Sequence, residues 1–412
     1  MDRDVSTKYD YDLIIIGGGL VGATLAAALR KQSLRIGIIE AYPFGSSEQP
    51  SYDDRSIALS YGSREIFAGM GLWQTFSSQA TPIHHIHVSN RGHFGAARLD
   101  RSESRVDALG YVVENRIVGR LLSELIATHD NIDLITPARL TDISINRSHA
   151  VVTYEKDSES RQITAPLVVG ADGAMSQLRE LLGIGVERRE YEQSAIIANV
   201  STEQAHNHVA YERFTDDGPI ALLPLDQDRC SLVWTVKPGD VEKILEMEEA
   251  EFLSLLQQRF GYRLGRFLRA GKRTAYPLAL IRAEEYVTSR VVLVGNAAHT
   301  LHPVAGQGFN LGLRDVAGLA QMIVDKKKEN LDYGAICTLN EYAQWRQQDH
   351  RQVIAFTDTM ARLFTNSFFP VVVGRNLGLL ALDLLPPVKK MFAKQTMGMA
   401  GRLPRLARGI PL

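Results

Sequence analysis

The chain has 412 residues, 45% of them hydrophobic and 23% charged, with a formal net charge of −1. That apolar share supports a large buried core and excludes a disordered chain, and the near-neutral balance gives no footprint for a nucleic-acid partner. Cys230 and Cys337 lie far apart and match neither a zinc nor a redox spacing, so a reducing, cytoplasmic setting without disulfides is expected.

The length suggests about two structural units. The opening stretch, MDRDVSTKYDYDLIIIGGG, lacks the long apolar segment and cleavage site of a signal peptide. The nearest thing to a membrane span, Phe368–Leu385, is interrupted by Pro370, Arg375, Asn376 and Asp383, so none is expected. Leu13–Ile16 reads as a parallel strand covered on both faces, Leu20–Arg30 as a helix, and Arg35–Glu40 as a second strand. Helices follow around Ser63–Met70 and Ile117–Thr128, then strands ending in Leu167–Val169. From about 191 to 282 alternating strands such as Ile220–Leu225 and Ser231–Val236 predict an antiparallel sheet, with one helix near Glu248–Phe260. Val291–Val294 is another buried strand, and Gly308–Val324 and Leu339–Phe364 are helical.

Three motifs carry chemistry. Gly17-Gly18-Gly19-Leu20-Val21-Gly22 matches G-x-G-x-x-G between a strand and a helix, and Glu40 ends the next strand. Gly17 permits the tight turn, Gly19 lets backbone approach a pyrophosphate, and Gly22 lets helix and strand pack closely. The helix N-terminus offers free N–H groups and partial positive charge to phosphates, and Glu40 can accept from an adenosine ribose. The second motif is Gly170-Ala171-Asp172-Gly173, whose following helix Ser176 can cap. The third runs from Val291 through Asn296 and His299 to His302-Pro303-Val304-Ala305-Gly306-Gln307-Gly308-Phe309-Asn310, a strand feeding a small-residue loop that opens a helix. Only one G-x-G-x-x-G is present and there is no Cys-x-x-Cys, which argues against a disulfide-reductase design.

These motifs together, with YVVENR at 111–116 and DDRSIALS at 53–60, resemble the aromatic-ring-hydroxylating flavoprotein monooxygenases, and most closely their ubiquinone-biosynthesis hydroxylases. The resemblance spans the chain from about residue 10 to the C-terminal GRLPRLARG. It implies an α/β fold: a Rossmann-like FAD-binding domain assembled from 10–75, 105–185 and 286–330, a substrate-covering antiparallel sheet from 76–104 and 186–285, and a helical C-terminal region, 331–412, with a basic tail. It implies FAD contacts from Gly17, Gly19, Leu20, Val21, Gly22, Glu40, Arg55 and Arg120, from Asp172 and Gly173, and from Asn296, Gly306, Gln307, Gly308, Phe309 and Asn310. Asn296 stands where the broader family usually has Asp.

The implied reaction is hydroxylation of a polyprenylated phenol in ubiquinone biosynthesis through a flavin C4a-hydroperoxide, using O2 and NAD(P)H or another electron donor. A sister hydroxylase acting at another ring carbon, and a flavin-bound structural component of a biosynthetic complex with other ubiquinone-biosynthesis proteins, are the alternatives. His302, Pro303 and Gly308 are the candidate catalytic positions, with the helix start at Gly308 stabilising developing flavin charge. His299 and His302 are open to proton transfer or to simple packing, and no metal site is expected from His84, His85 and His87. The tail from Val388 to Leu412 mixes Lys389, Lys390, Lys394, Arg402, Arg405 and Arg408 with apolar residues and no acid. It can lie peripherally on the inner, anionic face of a membrane or pack on the protein's own core.

Overall fold

Strand β1 (Leu13–Ile16) is apolar at every position because both its faces are covered. Its side chains alternate between two cores. Leu13 and Ile15 join the cluster under helices α1 (Leu20–Leu29), α3 (Asn115–Ala127) and α6 (Gln307–Lys328), whereas Ile14 and Ile16 face a small sheet of β9 (Arg139–Ile145), β10 (Ala150–Lys156) and β11 (Glu159–Ala165). The computed structural model describes residues 9–43, 55–303, 306–365 and 368–412. The readings of residues 1–8, of Asp53 and Asp54, of Val304 and Ala305, and of the Phe369 side chain lie outside the described residues.

The central sheet has six strands in the order β19 (Val287–Thr288), β20 (Val291–Leu293), β12 (Val168–Gly170), β1, β2 (Ile36–Ile39) and β8 (Ile132–Ile135). From β20 to β8 every pairing is parallel, and β19 is an antiparallel edge. A second, three-stranded sheet pairs β3 (Ser56–Ser60) and β4 (Thr81–Ile83) with β7 (Gly110–Glu114). Thr81–Ile83 was expected with the covering sheet, yet it pairs with β7.

The large sheet runs β21 (His299–Thr300), β18 (Thr274–Ala283), β13 (Val186–Thr202), β16 (Arg229–Val236), β15 (Gly218–Pro224), β14 (Val209–Thr215), β5 (His85–Asn90) and β6 (Ala96–Asp100), with β17 (Phe267–Ala270) beside β13. It is mixed rather than wholly antiparallel. β5 enters from a distant segment with no hairpin to fix its direction, and it pairs parallel to β14. One face buries Ile196, Ala198, Leu222, Leu232 and Trp234 under helix α5 (Glu249–Phe260). Trp234 is therefore a core residue.

Helix α2 (Tyr61–Gly69) is capped by Ser60, and the short α4 (Gln177–Leu181) by Ser176 as expected. The expected helices over 308–324 and 339–364 extend to Gln307–Lys328 and, as α7, to Ile336–Thr365. Lysines 326–328 fill the last turn of α6, where the helix dipole favours cations. Helices α8 (Phe369–Leu384) and α9 (Pro386–Thr396) meet at a bend of 96°. Among the described residues no single helix is long and apolar enough to cross a membrane. Beyond α9 the chain returns to the central core, where Leu406 and Ala407 are buried.

Candidate functional site

Every motif singled out in the sequence lies at the carboxyl end of a parallel strand. β20, β12, β1 and β2 are neighbours, so Asn296, Asp172, Gly17 and Glu40 border one crevice. The loop after β1 is tied down by Gly17 N–H donating to Ile39 O at 2.8 Å and Ala171 N–H to Ile16 O at 2.7 Å. Gly17 has φ +99°, and a side chain there would come within 2.6 Å of Ala171 O. A side chain on Gly22 would lie 2.0 Å from Gly17 O, so only glycine lets α1 begin this close to the strand end. Leu20 enters the core, while Val21 packs beneath Gly295. Glu40 is buried and accepts from Gly18 N at 2.6 Å and Tyr42 N at 2.9 Å, which holds its carboxylate at the crevice.

Asp172 is set by Leu178 N–H, which donates to Oδ2 at 3.0 Å, and burial raises its pKa. Gly173 has φ +83° with open space beside it. Arg179, from the helix that follows, donates to Ala297 O at 2.9 Å and to Ala174 O at 2.8 Å, clamping the second motif to the third. Asn296 is exposed at the crevice mouth.

The start of α6 is the third wall. Gly306 caps it in the left-handed conformation, φ +58°, and a methyl group on Gly308 would meet no heavy atom of the described residues within 4 Å. Asn310 holds this helix start against β3. Its Oδ1 accepts from Ser60 N at 2.8 Å and Ser63 Oγ at 2.7 Å, and its Nδ2 donates to Ala58 O and Gly306 O, both at 2.7 Å. Those four bonds saturate the amide. The side-chain amide of Asn310, a residue expected among the flavin contacts, is thus spent on positioning the helix start. Gln307 is buried and reaches Thr396 O at 3.4 Å, and Phe309 packs on the central core.

Arg55, at the start of β3, stacks over the Tyr276 ring at 4.7 Å and lines an open cleft of about 770 Å3 with Glu114 and Arg116. Arg120 does not line it. Its side chain is exposed and 3.9 Å from Glu124. Arg116 is one turn nearer the strand end, about 6 Å along the axis, and bonds Glu114 Oε2 at 2.7 Å. YVVENR held the signal, since the first turn of the helix is the part facing the crevice.

The two histidines of the third motif are both buried. His302 lies against Tyr191, with Nε2 3.4 Å from Gln193 Oε1, and burial pushes its pKa down to about 4. It is neutral near pH 7 and a weak base, which favours packing over proton transfer. Pro303 follows it directly at the edge of the described loop. His299 Nε2 is 2.8 Å from Asp315 Oδ2, and Arg346 Nε and His350 Nε2 reach Asp315 Oδ1 at 2.8 and 2.7 Å. Burial opposes ionisation of Asp315, yet His350 and Arg346 hold its carboxyl well below the usual range. His299, Asp315 and His350 have the ligand types of a metal site, but Arg346 already places a fixed cation on the carboxylate.

FAD fits this crevice. The glycine loop and α1 N-terminus suit a diphosphate, Gly308 leaves room for a flat ring, and among the described residues Ser56 Oγ and Asp172 Oδ1 are buried without a hydrogen-bond partner. Strand order and site together define a dinucleotide-binding flavoprotein. A model of the FAD binding domain family matches residues 10–357, and the chain belongs to that family. It is 37% identical to ubiquinone hydroxylase UbiL of Rhodospirillum rubrum, over 97% of this chain and 93% of that one. It is 33% identical to 3-demethoxyubiquinol 3-hydroxylase of Escherichia coli, over 95% of this chain and 100% of that one. Its fold matches the crystal structure of p-nitrophenol 4-monooxygenase PnpA from Pseudomonas putida, with a TM-score of 0.78 at 19% identity, covering 95% and 98% of the two chains. The chain is an FAD-dependent monooxygenase, of a kind that draws on O2 and on NAD(P)H or another electron donor.

Proposed function

We propose that this enzyme hydroxylates the aromatic ring of a polyprenylated phenol in ubiquinone biosynthesis, and that 2-polyprenyl-6-methoxyphenol is the first substrate to test. The observation that carries it is the open space at Gly308, where a helix N-terminus faces the crevice, in a chain whose full-length relatives are named as ubiquinone hydroxylases. When bound and reduced by NAD(P)H, FAD supplies the oxygen-activating chemistry. The chain's own residues do the rest. Gly17, Gly19 and Gly22 admit the diphosphate, Glu40 takes the ribose, and Asp172, Gly173 and Asn296 border the ribityl side. Gly306, Gly308 and Pro303 would hold the flavin ring, and the α6 N-terminus would favour negative charge developing there. His302 and the large sheet keep water out.

The test is mass spectrometry of quinone lipids from a strain lacking the gene, rescued with wild type or Gly308→Asp. One under-hydroxylated prenyl phenol should accumulate and be cleared by wild type alone, and its missing oxygen names the ring carbon. Equal rescue by the variant would make the chain a structural component of a biosynthetic complex.

A lipid substrate must be met at a bilayer, and we infer that the α8–α9 elbow meets it on the inner face. Phe368, Leu377, Leu384, Leu385 and Met391 are 65, 51, 65, 50 and 70% exposed within this short stretch, beside Lys390 and Lys394. The tail beyond it is less suited than its sequence suggests. Arg405 pairs with Asp325 at 2.5 Å, Arg402 stacks on Trp345, and Leu406 is core. Flotation with phosphatidylglycerol-containing liposomes should fall for Leu384→Glu/Met391→Glu. Unchanged flotation would leave the elbow to a protein partner.

A further inference from the structure

The cleft beside Arg55 has a character that neither FAD nor a prenyl phenol explains. Its floor is the face of the large sheet opposite α5. Ile196, Ala198 and Val200 of β13 are buried under that helix, so the alternate residues Ile197, Asn199 and Ser201 turn into the cleft. Cations line it: Arg55 and Arg116 on one side, and Arg229, Arg269 and Lys272 on the other. Among the described residues Glu114 is the one carboxylate in the lining, 2.7 Å from Arg116 and 3.6 Å from Arg229. Among the described residues Arg269 and Lys272 have no carboxylate within ion-pair distance. At about 770 Å3 the cleft is in the size range of small-molecule sites.

A polyprenyl tail cannot offset the desolvation of these cations, whereas a diphosphate can. The FAD diphosphate has its own place at Gly17–Gly22, which does not line the cleft. The chain carries one glycine-rich dinucleotide loop, so a second dinucleotide must be held by side chains instead. We propose that this cleft binds the diphosphate of the NAD(P)H electron donor through Arg229, Arg269 and Lys272, assisted by Arg116. Arg55 and Tyr276 form its inner end, at the root of β3, the strand whose Ala58 and Ser60 hold the flavin-side helix through Asn310. The proposal rests on NAD(P)H being the reductant.

The experiment uses the FAD-loaded enzyme and two probes lacking nicotinamide, ADP-ribose and its 2′-phosphate, titrated by calorimetry. Arg269→Glu/Lys272→Glu should weaken binding of the preferred probe at least tenfold. It should raise KM for NAD(P)H with much less change in kcat, while FAD content and melting temperature stay as in wild type. Arg269→Lys should retain most of the affinity, and Lys31→Glu, exposed and outside the cleft, should bind as wild type. Undiminished probe binding in the double variant overturns the cleft assignment, even where NAD(P)H still bleaches the flavin. If neither NADH nor NADPH bleaches the wild-type flavin, the reductant itself is misassigned and the proposal falls with it.

Discussion

Replacing Asn310 by alanine removes four hydrogen bonds at a point where α6, β3 and α2 meet. The side chain is buried, so water cannot replace it without reorganising the contact. Ser60 N, Ala58 O and Gly306 O each lose a partner within 2.8 Å. A stranded buried group costs about 1–3 kcal/mol, so the low end of that range gives a loss of about 3 kcal/mol. Asn310→Asp should be at least as damaging. It keeps the bonds from Ser60 and Ser63 but turns a carboxylate oxygen toward two carbonyls. Urea unfolding followed by tryptophan fluorescence measures the loss, and flavin absorbance per protein shows whether the helix start still holds FAD. Flavin content should fall together with stability. An alanine variant within about 1 kcal/mol of wild type and fully loaded with FAD would refute the view that this amide positions the flavin wall.

Asp315→Asn takes one of the two carboxylate partners of the buried Arg346, leaving Asp349 at 2.5 Å, and should cost about 1.5–3 kcal/mol by denaturant unfolding. Because the folded pKa of Asp315 is depressed, its contribution is complete above the unfolded carboxylate value and is lost as pH falls toward the folded one. Acid unfolding should therefore shift to higher pH in that variant. His302 behaves differently: its pKa falls from 6.5 to about 4 on folding, so the unfolded chain binds more protons between those values. Stability should decline by up to about 3 kcal/mol as pH drops through that window, and His302→Gln should flatten the decline, read by unfolding midpoints at pH 4 to 7. Gly22→Ala should give protein with little or no bound flavin, because its methyl would lie 2.0 Å from Gly17 O, and absorbance near 450 nm (about the flavin band) checks it.

The central sheet was legible because its signals are local. An unbroken apolar run such as Leu13–Ile16 needs cover on both faces, and a glycine triplet after it needs a ligand or a tight turn. What the sequence hid depends on direction and on distant partners. Arg116 and Arg120 share one helix face, and only the strand end shows which of them reaches the cleft. Asn310 looks like a ligand in a motif, because nothing in the order of residues reveals that Ser60, Ser63 and Ala58 already take its amide. The cationic cleft was invisible for the same reason. Arg55, Arg116, Arg229, Arg269 and Lys272 come from separate segments that only the fold assembles. The basic tail left two readings open, since composition does not distinguish cations facing lipid from cations paired with Asp325 or laid over Trp345.

The return of the chain after α9 bears on how the protein is made. Gly62 N–H donates to Met397 O at 2.8 Å, and Leu406 lies within 3.2 Å of where a side chain on Gly69 would point. The core around β1 and α1 is therefore closed by residues that leave the ribosome only after α9. Until then Phe67, Ile66 and their neighbours keep one side uncovered. During synthesis the flavin-binding half waits on a segment translated long after it, and chains stalled or clipped before that segment present an unfinished core to chaperones and proteases.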